Sequence, residues 1–229
     1  MPKKPSRAEA KLARQRTRHE ALLLEELPLW SEGLVVAGLD EAGAGPLAGP
    51  VTAACVVLDP AQVDALIGVD DSKTLDAATR EQHATRIRAH VRAWAVAEAT
   101  VGEIDRINIR EAGLLAMKRA LDRVLEQVPE IHHLLVDARI VPGTPIPQSD
   151  LIKGDARSLS IAAASILAKV ERDQVMTAAA QHWPGYGFER HKGYGTAEHL
   201  EAIRTHGVTP LHRRTFEPVS TLLRQPSLF

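Results

Sequence analysis

The sequence predicts an α/β fold, a mixed sheet with helices on its faces. Three observations predict it. Two apolar runs, residues 34–39 and 51–58, flank the Gly- and Pro-rich turn Gly43-Ala-Gly-Pro-Leu-Ala-Gly-Pro50, which is the pattern of buried strands joined closely. A partly alternating stretch at 92–101 and a short apolar run at 134–136 supply two more strands. Helical spacing fills much of the rest, most clearly Leu114, Met117, Leu121, Val124, Leu125 and Val128.

In order along the chain, residues 1–30 read as a basic helical arm. It carries Lys3, Lys4, Arg7, Lys11, Arg14, Arg16 and Arg18, with Leu22, Leu23, Leu27 and Trp30 as a docking stripe. Strands follow at 34–40 and 51–58, and Pro60 is placed to open a short helix to Ile67. Asp70-Asp-Ser-Lys-Thr-Leu75 is a polar loop, and Asp76 is a suitable N-cap for a helix to Val91. A strand at 92–101 and a helix at 109–128 come next, then a strand at 134–136 that ends in Asp137. After the Pro-rich loop 142–147 and Lys153-Gly-Asp155, a helix from Ser158 to about Gln181 presents a small-residue face of Ala162, Ala163, Ser165 and Ala168. Residues 182–195 read as a loop and 196–206 as a last helix. The expected organisation is the arm 1–30, one domain over 31–218 that includes the C-terminal helices, and a flexible tail over 219–229.

Composition removes several classes. The chain has 229 residues, 45% of them hydrophobic and 25% charged, enough for a substantial core. Its one cysteine, Cys55, allows neither a disulfide framework nor a cysteine metal site, which fits a reducing compartment. The basic N-terminus lacks an apolar h-region, and the longest apolar run, 161–168, is too short for a bilayer. A soluble cytoplasmic monomer is expected. Net charge is −1, but residues 190–214 hold five Lys or Arg against two Glu, a basic face on which phosphates can be contacted. No dinucleotide fingerprint or phosphate loop is present. Ser158 and Ser165 have no adjacent His–Asp arrangement. His191, His199, His206 and His212 show no zinc-ligand spacing, and His191 is a candidate phosphate contact.

The carboxylates carry the chemistry. Asp40 and Glu41 end the first strand, Asp137 ends the strand at 134–136, and Asp155 precedes the small-residue helix. Taken singly, each is an ordinary strand end or helix cap. Neighbouring strands would bring them to one edge of the sheet, where ligands bind in open α/β folds. Adjacent residues of a strand point to opposite faces, so Asp40 and Glu41 share a site only if the chain turns there. Like charges about 4 Å apart repel by roughly 4 kcal/mol at an effective dielectric near 20, and a divalent cation resolves the repulsion. All-oxygen ligation favours Mg²⁺ or Mn²⁺ over zinc. Two such ions can bracket a phosphodiester. A two-carboxylate glycosidase is the competing hydrolase, and an aromatic content of 3% argues against a sugar cleft.

These segments resemble the type 2 ribonucleases H, the ribonuclease HII family. The resemblance rests on residues 38–50, Asp71-Ser-Lys73, Ile107-Asn-Ile109, Val136-Asp137, Lys153-Gly-Asp155, Ile161-Ala-Ala-Ala-Ser-Ile-Leu-Ala-Lys169 and His191-Lys-Gly-Tyr-Gly-Thr196. It implies a ribonuclease H-like mixed sheet flanked by helices, with a C-terminal helical extension. It further implies hydrolysis on the 5′ side of a ribonucleotide in RNA–DNA hybrid or in duplex DNA with embedded ribonucleotides, leaving a 3′-hydroxyl. Asp40, Glu41, Asp137 and Asp155 match the family's metal-binding, catalytic carboxylates. Gly43, Ala44 and Gly45 fall on its Gly-Arg-Gly turn, which reads the ribose 2′-hydroxyl largely through backbone groups. Tyr194 matches a tyrosine beside the RNA–DNA junction, and Lys73 a phosphate-contacting lysine. Ala44 departs from the pattern, removing a charge and up to five donors. Retained cleavage with a weaker or altered preference for a single ribonucleotide is expected; the alternative is a junction-binding protein of altered activity. The tail Gln225-Pro-Ser-Leu-Phe229 resembles the peptide that docks into bacterial sliding clamps, with Gln225, Leu228 and Phe229 as its anchors.

Overall fold

The two apolar runs beside the Gly/Pro turn become antiparallel neighbours, β1 (Val36–Ala42) and β2 (Val51–Leu58). A computed structural model describes residues 6–224. Every residue of β2 is buried, as expected of a strand covered on both faces. The next strand, β3 (Val91–Ala99), runs antiparallel to β2 on its outer side. On the other side, β4 (His133–Asp137) lies parallel to β1, and β5 (Gln148–Leu151) parallel to β4. The five-stranded order is β3-β2-β1-β4-β5. This is the expected mixed sheet flanked by helices, with a helical C-terminal part.

Helices α1 (Arg7–Leu22) and α2 (Glu26–Ser31) precede the sheet. Leu22 and Leu23 enter the core on one face, and Arg18 grips Asp70 through two nitrogens. Helix α3 (Ala77–His90) begins at Asp76, whose side chain accepts from Thr79 N–H as expected. Helix α4 (Val101–Leu125) covers one face of the sheet, and α5 (Leu159–His182) with α3 covers the other. The small face of α5 lets it sit directly on β1. A Cβ at Gly38 would lie 2.3 Å from the Ser160 carbonyl carbon. Short α6 (Phe188–His191), α7 (Ala197–His206) and α8 (Val219–Arg224) close a third cluster around Met176, Tyr186 and Phe188, with Val219 buried in it. No helix among the described residues is long and apolar enough to cross a membrane.

Four local expectations change. Residues 60–67 form only a 3₁₀ turn, Val63–Leu66, rather than a helix. The helix expected from Ile109 begins eight residues earlier, where Thr100 and Glu103 form a capping box. Asn108 interrupts it at φ 69°, and its side chain accepts from the amides of Arg110 and Glu111. The expected start is thus a second cap inside a longer helix. β5 occupies a stretch to which the sequence assigns no element: Gln-Ser-Asp-Leu carries little strand signal, and pairing with β4 makes the strand. Finally, α6 lies within the expected loop 182–195, and residues 219–224, expected to begin a flexible tail, form α8 because Val219 packs into the third cluster.

Candidate active site

The parallel register of β1 and β4 sets Leu39 opposite Val136. One step further along, Asp40, two residues before the end of β1, stands beside Asp137, the last residue of β4. Asp155 arrives from a third direction, in the 3₁₀ turn Gly154–Ala156 that leads into α5. The N-cap of α5 is Ser158, so Asp155 is not held there as a cap.

Each carboxylate has a distinct set of partners. Asp40 is 3% exposed; its Oδ1 accepts from Glu41 N–H at 2.7 Å, and the Ser165 hydroxyl on α5 lies near enough to favour its charged form. Ser165 meets Ser72 at 2.9 Å, which ties the Lys73 loop to the strand end. Glu41 points to the opposite face, because β1 stays extended through Ala42 and the turn comes one residue too late to swing both groups together. Arg139 lies 3.5 Å from Glu41, yet Glu41 Oε2 is buried with no partner among the described residues. Asp137 Oδ1 accepts from Gly154 N–H at 2.7 Å. Asp155 Oδ2 is paired at 2.8 Å with the ammonium of Lys73.

Burial, and then the charges of Glu41 and Asp137, push Asp40 well above the usual carboxylate range. Burial and the Asp137 charge raise Glu41 against the pull of Arg139. Burial and Asp155 likewise raise Asp137. Three carboxyls that resist ionisation side by side mark a site short of positive charge. Among the described residues, no three His, Cys, Asp or Glu side chains converge on one point. Lys73 occupies Asp155, Arg139 draws Glu41 aside, and the strand pleat separates Asp40 from Glu41. The donor set nevertheless fits a hard divalent cation, since it is all oxygen, mutually repelling and includes an orphaned carboxylate oxygen.

Beside the carboxylates lies the turn Gly43-Ala44-Gly45. Gly43 has φ +94°, and a Cβ on it would fall 2.0 Å from Arg172 Nε. A Cβ on Gly45 would sit 3.9 Å from the Tyr194 ring, so turn and ring face one another. Tyr194 is 45% exposed, and Lys169 reaches over its ring at 5.9 Å. A chain of imidazoles fixes the backbone behind it. Thr209 N–H donates to His212 Nδ1 at 2.8 Å, so His212 Nε2 carries the proton and donates to His199 Nε2 at 3.1 Å. His199 Nδ1 is then the donor to the Tyr194 carbonyl at 2.9 Å. His191 is buried, bonded to the Tyr186 carbonyl and stacked on His199, so it is not a surface phosphate contact. Three side chains at the site were not singled out in the sequence, Arg139, Arg172 and Arg213, and Ser165 was read only as part of the small-residue face of α5. Arg172 left a signal, standing seven residues after Ser165 on the buried stripe of a helix, where a charged group needs a reason. Gln225, Leu228 and Phe229 lie outside the described residues.

Residues 37–219 match the family model described as Ribonuclease HII. A ribonuclease HII of Myxococcus xanthus is 53% identical over 212 residues, covering 92% of this chain and 71% of that protein. The ribonuclease HII of Archaeoglobus fulgidus, solved in complex with PCNA, aligns with a TM-score of 0.66 at 26% identity, over 85% of this chain and 98% of its own. Bst-RNase HIII, solved in complex with Mn²⁺, aligns with a TM-score of 0.70 at 22% identity, over 83% of this chain and 69% of its own, and shares the fold.

Proposed function

The chain belongs to the ribonuclease HII family and is a ribonuclease H endonuclease, and from that premise we propose that it cleaves on the 5′ side of a ribonucleotide. The substrates are RNA–DNA hybrid and duplex DNA with embedded ribonucleotides, and the products carry a 3′-hydroxyl and a 5′-phosphate. The observation that carries this reading is the β1–β4 register, which sets Asp40 beside Asp137 next to the Gly43–Gly45 turn and Tyr194.

Asp40, Glu41, Asp137 and Asp155 would hold Mg²⁺ or Mn²⁺. When bound, such ions supply an activated water and neutralise charge on the phosphate oxygens. The protein's own groups prepare the site. The Glu41 amide orients Asp40, and the Gly154 amide orients Asp137. Lys73, whose ammonium lies 2.8 Å from Asp155, would contact a phosphate held beside that carboxylate. Gly43, Ala44 and Gly45 offer backbone groups to the ribose 2′-hydroxyl, the feature that separates RNA from DNA at a site. Tyr194 stacks on the sugar beside them. The catalytic unit comprises residues 31–224, with α8 packed into it through Val219, and acts as a cytoplasmic monomer; the sole cysteine, buried in β2 with its thiol pushed up by burial, suits a reducing compartment.

A duplex containing one ribonucleotide tests this. We expect one cut 5′ to that ribonucleotide with Mg²⁺ or Mn²⁺ and none in chelator; cleavage that persists in chelator rejects the metal-dependent reading. In the same assay, Ala44→Arg is expected to raise kcat/KM on the single-ribonucleotide duplex about tenfold, the worth of one charge-assisted phosphate contact. Indistinguishable kinetics would show that the arginine is dispensable here. The tail Gln225–Phe229 we assign to a sliding clamp, supported by its sequence and by the Archaeoglobus relative solved with PCNA. Its deletion should abolish clamp binding, and undiminished binding removes the assignment.

A further inference from the structure

Two arginines lie beneath the glycine turn, and both are fully buried. Neither has a carboxylate in salt-bridge contact among the described residues. A buried cation without a counter-charge must be met by well-placed acceptors, and here all of them are backbone carbonyls. Arg172 donates to Pro50 at 3.1 Å, Ala48 at 3.0 Å and Lys192 at 3.1 Å. Arg213 donates to Gly49 at 3.0 Å, Ala44 at 3.0 Å, Gly43 at 2.6 Å and Pro50 at 3.2 Å.

We propose that Arg172 and Arg213 are the positioning residues of the sugar-reading groove, aiming the turn's amides outward and fixing its distance from Tyr194. The proposal rests on the reading of Gly43–Gly45 as the reader of the ribose.

The aim follows from the planar trans peptide, whose C=O and N–H point in opposite directions. The Gly43 carbonyl shares a plane with the Ala44 amide, and the Ala44 carbonyl with the Gly45 amide. Arg213 holds both carbonyls inward, so both amides face outward. No acceptor among the described residues takes the N–H of Gly43, Ala44 or Gly45. They are donors held ready for a ligand oxygen. Arg172 sets the other dimension, because its guanidinium bonds both the 43–50 loop and Lys192, two residues from Tyr194. The same two loops are joined by Leu47 N–H to the Gly193 carbonyl at 2.8 Å. Glycine is required at 43 because Arg172 Nε fills the place of a Cβ. Burial and the neighbouring Arg172 lower Arg213 to about 9, so at neutral pH Arg213 stays charged and remains a full donor.

Arg172→Lys and Arg213→Lys test this, since lysine keeps the charge but cannot bridge three or four carbonyls. Binding is measured in chelator to a DNA duplex with one ribonucleotide and to the same duplex without it. Each folded variant should bind the all-DNA duplex within twofold of wild type and lose at least tenfold of the ribonucleotide preference. A folded variant that keeps the wild-type preference overturns the proposal. Absence of any preference in the wild type removes the sugar-reading turn itself, and this proposal with it. If the variants do not fold, hydrogen exchange on the wild-type chain decides. The amides of Leu47 and Gly49 should be protected in the free protein and unchanged by the ribonucleotide duplex; protection that appears only with the duplex overturns the proposal.

Discussion

Asp40→Asn is expected to lower metal-dependent cleavage by about a thousandfold while raising the melting temperature of the metal-free protein. The loss corresponds to roughly 4 kcal/mol, in the range a bound cation contributes to transition-state charge. The gain has the opposite origin. Asp40 is buried against Glu41 and Asp137, and its carboxyl is held well above the usual range. The folded chain therefore binds that proton more tightly than the unfolded chain does. Stability falls as pH rises from the unfolded value, near 4, through the raised folded value, and the deficit persists at neutral pH. Asparagine carries no such charge, and it can still accept from the Glu41 amide and donate to Ser165. A gain of about 1 kcal/mol, or roughly 2–4 °C, is expected at pH 7 in chelator and should vanish near pH 4. Thermal melts at the two pH values check it, and a variant melting below wild type at pH 7 would contradict an electrostatic deficit at this strand end.

Gly38→Ala is expected to be among the most destabilising single methyl additions in the chain. Its Cβ would lie 2.3 Å from the Ser160 carbonyl carbon and 2.5 Å from the Ile161 amide nitrogen. Both obstacles are backbone in the first turn of α5, so no side chain can rotate away. Overpacking a core usually costs about 1–3 kcal/mol, and a rigid obstacle puts this substitution at the upper end, about 6–12 °C in melting temperature. Activity should fall as well, because β1 carries Asp40 while α5 carries Ser165 and follows Asp155. Misplacement by about 1 Å can cost on the order of a hundredfold in rate. Melting within about 2 °C of wild type would mean that the strand and helix separate easily.

Much of this architecture was legible in residue order because its signals are local. Apolar runs marked β1, β2 and β4; Asp76 and Ser158 marked helix starts; and the alanine face of α5 marked close packing. β5 was not legible, since Gln148–Leu151 becomes a strand only through β4. The first part of α4 was hidden because Asn108 looks like a boundary and is an interruption. At the candidate site, four carboxylates and a glycine turn stand out by type and spacing. Their partners do not: nothing local says that Lys73 is held by Asp155, or that Arg139 draws Glu41. Arg172 and Arg213 were least visible, because a guanidinium that serves only carbonyls leaves no complementary acidic residue to find.

Helix α5 has a consequence for where the strand is cut. It places Ser165 beside Asp40 and, two turns later, Arg172 on the loops proposed to read the sugar. At about 1.5 Å per residue those seven residues span roughly 10 Å of straight rod. The helix acts as a caliper: one jaw lies at the carboxylates, the other at the turn, and no hinge lies between them. On the proposed reading, the offset from recognised sugar to broken bond is set in part by helix pitch. One residue inserted between Ser165 and Arg172 would swing the second jaw by about 100°, losing the register between reading and cutting rather than moving the cut by one nucleotide.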